Sequence, residues 1–302
     1  MTKQAKQDVY ERVTEKVIAG LQKDGLQWFC PWAKGTVEMP INNATGKAYK
    51  GINVLLLSAS CVDNGYESNE WLTYKQCTDK GGQVKKGSKS EMVIYWQVSF
   101  VDKDGNWYKN EDAVKAAGLT MADVKKRFAA KWFNVFNIAQ CENIEPRRCA
   151  APVVENDNTP IERAEAIYNN YPAAKRPTLQ HGGESAFYRP STHTVQMPQM
   201  SLFNSADSYY ATLFHELVHS TGHDSILNRD IMNGFGTDKY AKEELVAEIG
   251  SMFLVGLTGL EVNNDNQQAY VNGWIAKLTN EPKLAISAAQ RAMKAVDFIT
   301  EG

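Results

Sequence analysis

Phe214-His-Glu-Leu-Val-His-Ser-Thr-Gly-His223 decides how the second half of this chain is read. On a helix, His215 and His219 stand four residues apart, so both imidazoles leave one face and can share a cation, with Glu216 beside them. Zinc takes neutral nitrogen ligands and keeps a fourth position where bound water loses its proton near neutral pH. A carboxylate next to that water serves as general base, the part Glu216 is suited to. The pattern predicts a helix carrying a hydrolytic site for Zn2+, or for another divalent metal in its place.

Such a site needs a third protein ligand. A metzincin would place a histidine six residues after His219, but Ser225 stands there and His223 is displaced from it. The other solution is a glutamate from a following helix. Glu243-Glu244-Leu-Val-Ala-Glu248 opens an amphipathic helix whose apolar face is Leu245, Ile249, Met252 and Phe253. Glu244 and Glu248 share a face, so Glu244 can bind the metal while Glu248 accepts the outer N–H of a ligating histidine. The reversed assignment and a plain solvated cluster are the rival readings. Glu243 lies about a quarter-turn away and reads as solvated. Tyr188, Tyr209, Tyr210 and Tyr240 are candidate oxyanion donors, each set against ordinary core packing, while His181 and His193, on the short extended pieces, read as structural histidines rather than ligands. Ala186-Phe-Tyr-Arg189 is a candidate edge strand for aligning a peptide.

Outward from the motif, helices are predicted over 205–220, 240–257, 266–278 and 282–298, preceded by a helix over 161–171 and short extended pieces between 178 and 197. The stretch 151–160, rich in Asn, Asp and Pro, reads as a linker between a first domain, 1–150, and a second, 161–302. In the first domain, Val9, Val13, Val17, Ile18 and Leu21 predict one helix, and 53–61 a second. Alternation from Met92 to Val101, the Asp102-Lys-Asp-Gly105 turn and Trp107-Tyr108 predict a hairpin, and 131–139 another strand. The fold class is α+β: a small antiparallel sheet with helices in the first domain, and a second domain rich in helices.

Charge divides at the same place. Before Ala150 there are 22 Lys+Arg against 17 Asp+Glu, about +5; after it, 33 less 22 leaves 11 against 35 less 17, or 18, about −7. The basic half combines cations with aromatic and amide groups in three segments, which is what single-stranded nucleic acid asks for: cations track phosphates and aromatic faces stack on bases. The candidates are Trp32 and Lys34 in the first segment, Lys47, Tyr49, Lys50 and Asn53 in the second, and Lys85, Lys86 and Lys89 in the third. The opposing reading is a solvated basic loop and core tryptophans. Five cysteines without a C-x-x-C pair suggest neither a disulfide framework nor a thiolate metal site. No run approaches the apolar length of a membrane span or signal segment, which predicts a cytoplasmic protein with no membrane partner.

These residues together resemble the ArdC-type antirestriction proteins of conjugative plasmids. In the first half the resemblance rests on Pro31-Trp32, Pro40 and Asn42, Thr45-Gly-Lys-Ala-Tyr-Lys-Gly-Ile-Asn53, Val84 with Gly87, and Phe133 to Gln140. In the second half it rests on Gly182-Gly183, Ala186-Phe-Tyr188, Gln196-Met-Pro198, His215 to His223, Leu227-Asn-Arg229 and Glu243 to Gly250. The resemblance implies a single-stranded-DNA-binding domain shared with TraC-type primases, followed by a gluzincin-like zinc metallopeptidase domain. It implies His215, His219 and Glu244 as metal ligands and Glu216 as the base. It also implies protection of incoming plasmid DNA in the recipient bacterial cell, with a host restriction protein or another protein as peptide substrate. His193 departs from the pattern, which leads one to expect an acidic residue there.

Overall fold

The computed structural model describes residues 8–29, 39–147, 159–231, 237–261 and 268–301. The first helix, α1 (Val9–Asp24), starts at a capping box in which Asp8 and Glu11 satisfy each other's backbone N–H, and it buries Val13, Val17 and Leu21. After β1 (Ile41–Asn42) comes α2 (Ile52–Asp63), which is almost wholly buried. Strand β2 (Glu70–Thr73) and helix α3 (Tyr74–Asp79) lead through β3 (Gln83–Val84) into a long strand, β4 (Glu91–Asp102). The predicted hairpin follows. Asp102 Oδ1 accepts from the backbone N–H of Asp104 and Asn106, both at 2.9 Å, Gly105 takes φ 87°, and β5 (Trp107–Tyr108) returns antiparallel.

Helix α4 (Glu111–Ala116) precedes β6 (Val124–Asn137), and β7 (Cys141–Glu142) pairs with β3. The main sheet has the order β1-β2-β6-β4-β5, with β1 parallel to β2 and the other pairs antiparallel. Its backbone is the twelve-pair ladder between β4 and β6, from Glu91↔Val135 to Asp102↔Val124. The predicted strand over 131–139 begins seven residues earlier and ends in a 3-10 turn at Ile138–Gln140. Its first part escapes sequence reading because Lys125, Lys126, Arg127 and Phe128 are all exposed, so no buried face imposes an apolar alternation.

The second half opens with α5 (Pro160–Asn170), capped by Thr159 and Glu162 with proline in the first turn. A small sheet follows, ordered β8 (Thr178–His181), β10 (Thr194–Met197), β9 (Phe187–Arg189), so among the described residues β9 pairs only with β10 and is an edge. Then come α6 (Ala206–Ser220), α7 (Asp238–Thr258), α8 (Gln268–Asn280) and α9 (Lys283–Glu301). The α+β class and the helical second half agree with the sequence reading. Of the linker, only residues 159 and 160 are described.

One core runs through both halves. Val17, Phe29, Ile52 and Leu55 meet Leu245, Ile249, Leu278 and Ala285, and Thr14 Oγ1 donates to the Pro282 carbonyl at 2.7 Å. The apolar faces of α1 and α2 are therefore completed by α7, α8 and α9. No helix among the described residues is long and apolar enough to cross a membrane.

Candidate metal centre

Helix α6 begins at Ser205, whose hydroxyl caps the Ser208 N–H at 3.1 Å, and it buries Tyr209, Leu213, Phe214, Leu217 and Val218. That burial turns His215 and His219 toward α7. The two helices approach closely because Gly250 lies against Val218: a Cβ on Gly250 would stand 2.8 Å from Val218 Cγ2. Glu244 on α7 thereby meets both imidazoles. His219 Nε2 is 3.1 Å from His215 Nε2 and 3.3 Å from Glu244 Oε1, and His215 Nε2 is 3.5 Å from Glu244 Oε2.

Those separations test whether a cation fits. Tetrahedral ligands about 2.0–2.1 Å from a zinc ion lie roughly 3.3–3.4 Å from one another, so the three groups already stand at ligand spacing. Among the described residues, His215, His219 and Glu244 form the cluster able to hold a metal. Both outer nitrogens are engaged. His215 Nδ1 faces Glu248 Oε2 at 3.2 Å, and His219 Nδ1 faces Glu243 Oε1 at 3.4 Å, which directs each Nε2 inward.

Glu243 is a correction to the sequence reading, which placed it in solvent. It is 6% exposed and is gripped by Arg229, whose Nη2 donates to Oε1 at 2.7 Å and whose Nε donates to Oε2 at 3.0 Å. A quarter-turn from Glu244 is still toward α6 because the two helices are so close, and Arg229, from the loop after α6, supplies the compensating charge. Arg229 also donates to Thr221 Oγ1 and the Val218 carbonyl, each at 2.7 Å. The Leu227-Asn-Arg229 signature carried this signal, but only as a family pattern.

Electrostatics agree with a cation site. Burial alone would raise the Glu244 carboxyl, but its contacts with His215 and His219 hold it well below the usual carboxylate range. Burial opposes charge on His215, yet Glu244 and Glu248 raise it well above an ordinary histidine; Glu243 and Glu244 outweigh burial at His219 in the same sense. Glu216, Glu243, Glu244 and Glu248 thus surround two imidazoles with Arg229 as the fixed cation, a local excess of negative charge that a dication offsets.

Glu216 is buried and lines a cavity of about 330 Å³ together with His215, His219, Glu244, Phe187, Tyr188 and Tyr240. Edge strand β9 forms part of its wall. A neighbouring cavity of about 620 Å³ shares Pro190 and Ile231 with it. Of the tyrosine candidates, Tyr209 and Tyr210 turn their hydroxyls to His181 Nε2 at 2.8 Å and Glu165 Oε1 at 3.1 Å, outside the cavity. Tyr188 meets His193 Nδ1 at 2.7 Å, while His193 Nε2 meets the Lys175 carbonyl at 2.7 Å. A carbonyl only accepts, so Nε2 carries the proton and the Tyr188 hydroxyl is the donor to Nδ1. His193, at φ 47°, therefore pins the turn before β10.

The whole chain aligns with solved proteins. It is 31% identical to antirestriction protein ArdC from the R388 plasmid, covering 98% of this chain and 97% of that one with a TM-score of 0.72; an Mn(II)-bound crystal structure of the same protein superposes equally well. The chain belongs to the ArdC antirestriction family. Residues 7–139 match the N-terminal domain of anti-restriction factor ArdC, and residues 162–291 match a zincin-like metallopeptidase. The zincin-like match, the Mn(II)-bound relative and the His215, His219 and Glu244 cluster together indicate a divalent metal. Among further relatives is a DNA primase TraC of Escherichia coli, 36% identical over 301 residues; the chain spans 27% of it. Another is the uncharacterized protein y4eC of Sinorhizobium fredii, 33% identical with 93% of its length covered.

In this ArdC relative several of the sequence-derived nucleic-acid candidates among the described residues are engaged by the fold itself. Trp32 and Lys34 lie outside the described residues. Asn53 does not face a ligand surface: its amide donates to the Ile94 carbonyl at 2.8 Å and accepts from the Ile94 N–H at 2.7 Å, tying α2 to β4. Tyr49 packs beside Leu57, Cys61 and Trp71, with its hydroxyl accepting from Asn42 at 3.3 Å. Lys50 pairs with Asp297 at 3.1 Å, and Lys85 donates to the Ala139 carbonyl at 2.9 Å. Lys47, Lys86 and Lys89 are exposed.

Proposed function

We propose that this chain is an antirestriction protein that binds single-stranded DNA, protects incoming plasmid DNA from host restriction, and hydrolyses peptide bonds at a Zn2+ site held by His215, His219 and Glu244. The observation that carries the peptidase reading is the convergence of three ligand atoms at metal spacing beside the buried carboxylate of Glu216. A structural metal site has no use for that carboxylate. When bound, the metal supplies Lewis acidity, which polarises a scissile carbonyl and acidifies a water. Glu216 then accepts the water's proton and returns it to the leaving amine. Edge strand β9 aligns the peptide by strand addition, and the cavity walls at Phe187 and Tyr188 exclude water.

DNA binding rests on the ArdC N-terminal match and on the basic first half, which we read as a DNA-binding region, 1–150, joined by 151–160 to the peptidase region, 161–302, with which it shares one core. The TraC relatives carry the same region within primases. The solved relative is recorded with Mn(II); the donor set here, two imidazoles and one glutamate beside a second carboxylate, is that of catalytic zinc sites, so His215, His219 and Glu244 would hold zinc. The site of action is the recipient cell's cytoplasm.

The test is a comparison of wild type with Glu216→Gln. Metal analysis should find one equivalent in both, and unfolded protein substrates should be cut by wild type alone. Transfer of a plasmid into restricting and non-restricting recipients then reads protection. Hydrolysis by Glu216→Gln equal to wild type, or none by zinc-loaded wild type, sinks the peptidase assignment. Plasmid recovery unchanged by the protein in restricting cells sinks the antirestriction one.

A further inference from the structure

The β4–β6 ladder has two faces, and α2 covers only the base of one of them. There Val93 and Val135 pack with Leu57, Cys61 and Trp71. Beyond that cluster the same face, traced by alternation and cross-strand register, carries Tyr95, Gln97, Ser99 and Val101 on β4 and Phe133, Lys131, Ala129, Arg127 and Lys125 on β6. Trp107 on β5 is the partner of Val101 and extends this face by one strand.

Its large side chains are in solvent. Trp107 is 66% exposed, Tyr95 58% and Phe133 48%, and the rings of Tyr95 and Phe133 meet edge to face at 6.2 Å. Between these aromatic ends the floor is built of small or uncharged residues, Gln97, Ser99 and Ala129. Lys125, Arg127 and Lys131 project from β6 at two- and four-residue spacing as a cationic rail, all exposed. Among the described residues none of the three takes part in a salt bridge. No carboxylate lies on this face between Tyr95 and Val101 or between Lys125 and Phe133. Three exposed aromatics and three exposed cations gathered on one face free of carboxylates fit a ligand that is both polyanionic and stacking.

We propose that this ribbon face is the single-stranded-nucleic-acid site of the chain, with Lys125, Arg127 and Lys131 on the phosphates and Tyr95, Phe133 and Trp107 on the bases. It rests on the DNA-binding reading above and relocates it from the 31–53 and 80–89 segments to β4, β5 and β6. From Lys125 to Phe133 the rail runs about 27 Å at roughly 3.4 Å per residue, room for several nucleotides. Base faces are accessible only in unpaired strands, so the aromatic residues carry the preference for single strands and the cations the affinity common to both forms.

The experiment uses the full-length protein, since α1 and α2 complete their core on the second half. Fluorescence anisotropy follows a labelled oligothymidine and a duplex at two salt concentrations for wild type, Lys125→Gln/Arg127→Gln/Lys131→Gln, and Tyr95→Ala/Phe133→Ala/Trp107→Ala. All six side chains are exposed, and circular dichroism checks that each variant is folded. The charge variant should lower the slope of log affinity against log salt by about 2, from three contacts at roughly 0.7 each. Each stacked aromatic lost should weaken single-strand binding by roughly 5- to 150-fold and shrink the preference over duplex. Wild-type binding that both folded variants retain overturns the ribbon site and leaves DNA binding standing, with a protein partner as the face's remaining occupant. A wild type that binds no single strand overturns both.

Discussion

Replacing Glu243 by alanine should cost far more than a surface carboxylate does, because its partner cannot reach water. Arg229 is 6% exposed along its side chain and gives three of its five hydrogen bonds to Glu243, leaving Thr221 and the Val218 carbonyl when the carboxylate is gone. Breaking one side of such a pair costs about 3–5 kcal/mol. Against a total stability of roughly 5–15 kcal/mol that is a large share, and at about 2 °C per kcal/mol for a chain of this size it lowers Tm by about 6–10 °C. Scanning fluorimetry in a chelator measures this term without metal binding. The double variant Arg229→Met/Glu243→Ala should regain most of the loss, since Thr221 Oγ1 already bonds the Val218 carbonyl at 2.7 Å and keeps both satisfied. Metal affinity behaves differently. His219 Nδ1 loses its acceptor in the single and the double variant alike, so both should bind the metal about 10- to 100-fold more weakly. Acid unfolding adds a sign. Burial raises the Glu243 carboxyl, but His219 and Arg229 outweigh it and hold it low; its contribution is present above about pH 4.5, its ordinary value, and is lost as pH falls further, so Glu243→Ala should unfold less steeply below that point. A single-variant loss under 1 kcal/mol, the range of exposed pairs, refutes the buried-pair argument, and a double variant no better than the single refutes the role of Arg229.

Other expectations follow from named contacts. Gly250→Ala should cost about 1–3 kcal/mol by denaturant titration, because its Cβ meets Val218 at 2.8 Å; Val218→Ala in the same chain should recover part of it, and a neutral Gly250→Ala would mean that α6 and α7 do not set the metal spacing. Asn53→Ala should destabilise by about 1–3 kcal/mol through the Ile94 N–H and carbonyl it leaves without partners, with DNA affinity of the folded protein unchanged; a selective loss of DNA binding would restore Asn53 as a contact residue. Burial pushes the Cys61 thiol up to about 11 and the Cys141 thiol up to about 12, so both should resist alkylation at pH 8 until the protein is unfolded, as mapped by mass spectrometry; labelling in the native state would contradict that burial.

The elements best read from sequence were those whose own periodicity meets a buried face. The helices around His215 and Glu244 fall here: ligand spacing at i and i+4, the apolar stripe on α7 and the capping residues are all local properties, legible before any packing is known. The β4–β5 hairpin is legible for the same reason, through its Asp-Gly turn. Short helices α3 and α4 and the first half of β6 were not, since six residues carry too little periodicity and the β6 ribbon has no buried face to enforce one.

By itself, then, the sequence determined the fold class, the two histidines, the carboxylate beside them and the short set of glutamates that could join them, because each follows from helix geometry within one element. Tertiary structure decided what depends on how elements meet. The approach of α7 to α6 selects Glu244 for the inward nitrogens, sends Glu248 to the outer nitrogen of His215, and buries Glu243 against Arg229. The pairing of β4 with β6 brings Tyr95, Lys131 and Phe133 together from positions more than thirty residues apart and leaves them in solvent, while Asn53, alike in composition to a ligand-binding residue, is consumed in holding α2 to the sheet. Composition names the groups that can do chemistry; the distances between elements assign them to it.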